Sequence, residues 1–165
     1  MPQQDFIARH HVVSGLYPKA DAFATSMTTD YVSLKDYRRA TFLIHSGDAT
    51  AGTADGTVTV LAASAADGTG AGAVAFKYRV CASSTTVDTW GALTDAAAAG
   101  FSMTAGDNYL YVVEVVADDI EGADAGNPWV ALKVLEVTND PIVAGVICIL
   151  SDPRHGVGIP LTAIA

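Results

Sequence analysis

Alternation of apolar and polar residues with a period of two constrains the fold of this chain more than any other feature of the sequence. In RATFLIHS (39–46), Phe42 and Ile44 fall on one face and Thr41, Leu43 and His45 on the other. In GTVTVLAAS (56–64), Val58 and Val60 alternate with Thr57 and Thr59. In AVAFKYRVCA (73–82), Phe76, Tyr78 and Val80 oppose Lys77, Arg79 and Cys81. Successive side chains point to opposite sides of a strand, so this pattern predicts half-buried β-strands. Three further runs, NYLYVVEVVA (108–117), WVALKVLEV (129–137) and VAGVICIL (143–150), are apolar on nearly every position. Strands of that kind belong at the centre of a sandwich or at a subunit seam.

Turn chemistry separates the runs. ADGT occurs at 54–57 and again at 66–69 as Asp-Gly turn sequence, not as a structural repeat. GTGAGA (68–73) reads as a hairpin tip. It lacks the lysine and the strand–loop–helix context of a phosphate cradle. NDP and SDP at 139–141 and 151–153 read as strand ends. The segment around residues 94–99 fits either one helical turn or an extended run with Phe101 and Met103 packing inward. Seven or so strands at this spacing predict an all-β fold, an antiparallel, jelly-roll-like β-sandwich over residues 31–165. Residues 1–30 show no sustained period and read as an extended N-terminal arm, with a weak helical signal over residues 20–27. The apolar, aperiodic end, RHGVGIPLTAIA, reads as a short C-terminal tail lying along a surface.

With 165 residues, half of them hydrophobic, the chain has enough material for one sizeable core. Eighteen acids against nine bases give a net charge of −9, which opposes contact with nucleic acid or an anionic membrane. The most apolar run, residues 142–150, is far short of the roughly 20 residues a spanning helix needs. The N-terminal MPQQDFIARHH lacks the order of a secretory signal. Cys81 and Cys148 both lie in apolar strand-like runs, and buried free thiols are expected rather than a disulfide.

Several residues invite a chemical reading. Asp118, Asp119, Glu121 and Asp124 crowd seven positions, and Asp140 follows. They fit an acidic turn between strands, or less well a calcium-type site, since the spacing departs from the EF-hand loop. Glu114 stands among valines. It is expected to pair with a basic residue on a neighbouring strand, with Lys77, Arg79 and Lys133 available. The four histidines, His10, His11, His45 and His155, accompany no nucleophile elbow and no zinc spacing. No active site, cofactor site or metal centre assembles from these residues, so the chain is not expected to be an enzyme. The exposed candidates are instead apolar residues in aperiodic segments. Phe6, Ile7, Val12, Val13, Leu16 and Tyr17 in the arm, and Ile159, Leu161 and Ile164 in the tail, are candidate partner contacts.

The motifs YVSLKDY (31–37), Y-x-V-E-V-x-A-x-D (111–119) and I-L-x-D-P-R (149–154) occur in that order. In this the chain, over roughly residues 30–165, resembles small structural proteins of tailed bacteriophages, most closely head-decoration (cement) proteins. That resemblance implies a β-rich virion protein, made in the host cytoplasm and placed on the capsid exterior. It would bind the major capsid protein and clamp capsomer junctions. A homo-oligomer, dimer or trimer, would use the two-faced runs at 109–117 or 143–150 as seams. Two other readings stay open: a tail or head–tail connector protein, and a non-viral sandwich that binds a ligand or carbohydrate through Trp90 or Trp129.

Overall fold

The computed structural model describes residues 6–49, 56–81, 89–104, 108–123, 129–137, 141–154 and 163–164. These residues form a two-sheet antiparallel sandwich. In chain order the elements are α1 (Phe6–Arg9), β1 (His11–Lys19), β2 (Ser26–Thr28), β3 (Val32–Ser33), β4 (Tyr37–Ala49), β5 (Thr57–Ala63), β6 (Gly72–Val74) and β7 (Phe76–Cys81). They continue with β8 (Thr94–Ala96), β9 (Phe101–Ser102), β10 (Leu110–Val116), α2 (Ala117–Ala123), β11 (Trp129–Leu135) and β12 (Ile142–Pro153). The first sheet runs β1-β12-β4-β10-β7-β8. The second runs β2-β11-β5-β6, with β3 added to β11 and β9 to β5.

Register explains why the period-two residues meet. Phe42 lies between Val113 and Cys148, and Ile44 between Tyr111 and Val146. These residues face inward from the first sheet, and all are buried. In the second sheet Val58, Val60 and Ala62 stand opposite Val134, Leu132 and Val130, and all six are buried as well. The two inner faces close one core. Burial of each valine, leucine, isoleucine or phenylalanine side chain among them contributes about 1.5–3 kcal/mol. The stacked rings of Tyr78 on β7 and Phe101 on β9, centroids 3.9 Å apart and within 2° of parallel, tie the two sheets together.

The expected arm is not separate from the body. Residues 11–19 are an edge strand of the first sheet, paired with β12 from His11↔Leu150 to Lys19↔Ala144. Residues 26–28 pair with β11, and Ala22, Phe23 and Met27 are buried in the shared core. The sandwich therefore begins at residue 11, not 31. Strand β1 hid in the sequence because it shifts register between Ser14 and Leu16 and again between Leu16 and Lys19, which breaks its alternation. The weak helical signal over residues 20–27 ends in turns and β2.

Two local outcomes complete the fold. Residues 94–96 are extended and pair with β7, so the extended reading of that segment holds. The acidic segment after β10 forms helix α2 rather than a plain turn, and it carries the chain from one sheet to the other. Ala117 and Ile120 point into the core. Asp118 and Asp119 occupy the first turn, where the helix dipole favours negative charge.

Candidate functional site: an apolar trough on the first sheet

The first sheet has an inner face buried against the second sheet and an outer face that no other sheet covers. Pairing sets the outer rows. One crosses Ser14, Ile147, Leu43 and Val112; the next crosses Gly145, His45 and Leu110. Ile147 and Val143 remain 46% and 48% exposed. The bulged second half of β1 bends across this face. A Cβ at Gly145 would meet the Pro18 ring at 3.1 Å, so Pro18 rests directly on that glycine. Leu16 and Pro18 from β1, and Asn108 and Leu110 from the β10 side, line a trough here. Its volume is about 610 Å³, and Leu43, Val143 and Ile147 of the outer face also line it. Among the residues lining it there is no Asp, Glu, Lys or Arg.

The structure divides the expected contact residues. Phe6, Ile7, Val12 and Tyr17 are exposed, the last at 77%. Helix α1 buries none of its residues, and His10 stacks on Phe6 with ring centroids 4.2 Å apart. Val13 faces inward opposite Cys148, is 6% exposed and packs in the core. Leu16 and Ile164 also pack against the core. The end of the chain is tied down by the Ser33 amide donating to the Ala163 carbonyl at 2.9 Å. Ile159 and Leu161 lie outside the described residues. The trough residues Leu43, Val143 and Ile147 were not singled out one by one. For Val143 and Ile147 the signal is the double-faced apolar character of residues 143–150, and for Leu43 its place opposite Phe42 and Ile44 in the run 39–46.

The polar candidates resolve as follows. Glu114 accepts a 2.7 Å hydrogen bond from Arg39 Nη1, and Arg39 Nε reaches Asp152 at 3.2 Å. Arg39 on β4 was not among the expected partners. Lys77 stands opposite Glu114 in register, yet its ammonium pairs with Asp95 at 2.6 Å. Hydrogen bonding to Glu114, before any other influence, raises the Arg39 pKa further. Asp118 and Asp119 are exposed on α2, Glu121 is seen only in its backbone, and Asp124 lies outside the described residues. Among the described residues no group of three His, Cys, Asp or Glu stands ready for a metal ion. His155 and Asp140 are outside the described residues, and His45 is exposed on the outer sheet face. His11 meets Tyr37 edge to face, with centroids 6.3 Å apart. Trp90 is 40% exposed and Trp129 half-buried. Both cysteines are free and buried, and burial pushes the Cys148 thiol far up, out of nucleophilic range. No described helix is long and apolar enough to cross a membrane.

No protein-family model matches the chain, and no curated protein matches it. Among solved structures the chain is similar to the crystal structure of the SPBc2 prophage-derived protein YomS. The match has a TM-score of 0.44 and 16% identity, over 90% of this chain and 97% of that one.

Proposed function

We propose that this protein is a virion structural component, a capsid decoration protein that binds the major capsid protein on the outer surface of a phage head and strengthens capsomer junctions. The observation that carries the reading is where exposed apolar surface gathers. Of the ten large hydrophobic residues exposed among the described residues, Phe6, Ile7, Val12, Tyr17, Val143 and Ile147 all lie on α1, β1 and β12. Those three elements are adjacent, so one side of a rigid sandwich presents most of the apolar surface. Soluble monomers rarely leave such surface bare. Many copies bound side by side on a closed shell would add their small contributions, each burying area across a joint. The net charge of −9 keeps free subunits apart in solution and suits a basic landing surface.

In this reading the protein acts by binding and not by turnover. Supporting it, the one carboxylate set among strand valines, Glu114, is already held by Arg39. Copies would associate in twos or threes where capsomers meet. The test is reconstitution: purified protein is added to empty phage heads that lack it, and the heads are imaged and heated. The reading expects regular outer density and a raised temperature of head disruption. Heads that stay bare and melt unchanged overturn it.

A further inference from the structure

We draw no further inference here: the strongest candidate, the apolar trough on the outer face of the first sheet lined by Leu16, Pro18, Leu43, Val143 and Ile147, is an unpartnered face, and nothing in the structure shows what covers it.

Discussion

Arg39 and Glu114, 75 positions apart in sequence, sit on neighbouring strands of the first sheet and pair at 2.7 Å. Asp152 joins them from β12 at 3.2 Å, with a left-handed φ of 55° that aspartate tolerates better than most residues. Three strands are thus cross-linked on the outer face beside the trough. The side chains of Arg39 and Glu114 are about a third exposed, at 38% and 31%, so water and salt weaken the pair. A double-mutant cycle with Arg39→Met and Glu114→Gln should give a coupling of about 0.5–1 kcal/mol in urea unfolding at low salt, shrinking in 1 M salt. A coupling near zero at low salt would show that the pair is ornamental.

Tyr37 offers a gain in stability. Its ring is 1% exposed, and its hydroxyl is buried with no hydrogen-bond partner among the described residues. Burial, and then the neighbouring Asp36 carboxylate, raise its pKa. The sign follows from the raised value. Below the unfolded tyrosine pKa of about 10 the contribution is fully present. It is lost as pH rises from there through the higher folded value, because the unfolded chain ionises first. Tyr37→Phe should therefore raise stability by up to about 1 kcal/mol at neutral pH, by removing an unsatisfied hydroxyl. It should also flatten the loss of stability above pH ~10. Urea titrations of both proteins at several pH values would check this.

Gly100 is required by its backbone. Its φ is +81°, and a Cβ there would fall inside contact distance of the Val58 carbonyl oxygen. Its amide closes the turn to the Ala97 carbonyl at 2.8 Å just before β9. Gly100→Ala should cost about 2 kcal/mol or more, from left-handed strain and overpacking together. Calorimetry should show a clear fall in Tm. An unchanged Tm would mean that the turn relaxes without strain.

The N-terminal segment divides at residue 10. Removing residues 1–9 takes away α1, which buries nothing, and should leave the fold intact. Removing residues 1–25 takes away the nine-residue β1 and Phe23, which is only 2% exposed. Loss of a phenylalanine side chain of that kind alone costs about 3–5 kcal/mol. The longer truncation should give an unfolded or aggregated chain by circular dichroism, and the shorter one a native spectrum. A folded product from the longer truncation would return residues 11–25 to the status of an arm.

The readable part of this fold is the part where alternation is regular. Phe42 and Ile44 on β4, and Val58 and Val60 on β5, all fall together on one buried side, as period-two alternation expects. Strand β1 escaped because its register shifts around Leu16 destroy that period, and because Pro18 and Lys19 look like the end of a strand. The two- and three-residue strands β2, β3, β6, β8 and β9 are too short to show any period. Helix α2 is seven residues long, fewer than the two to three turns over which a helical stripe becomes visible. The partner of Glu114 was hidden because strand order is not written locally. Lys77, Arg79 and Lys133 were reasonable neighbours, and only the β4–β10 pairing brings Arg39 alongside. The trough was half legible: doubly apolar runs marked the strands, but the bend that lays Pro18 on Gly145 was not foreseeable from either segment alone.

The central claim, attachment to the outside of a phage head, is tested most directly by quantitative co-sedimentation of the purified protein with empty heads that lack it. The account predicts saturation at a fixed ratio of this chain to capsid subunit, with that ratio visible as ordered density on the outer surface. Protein that remains in the supernatant at every concentration, or that pellets only with tails, would contradict it.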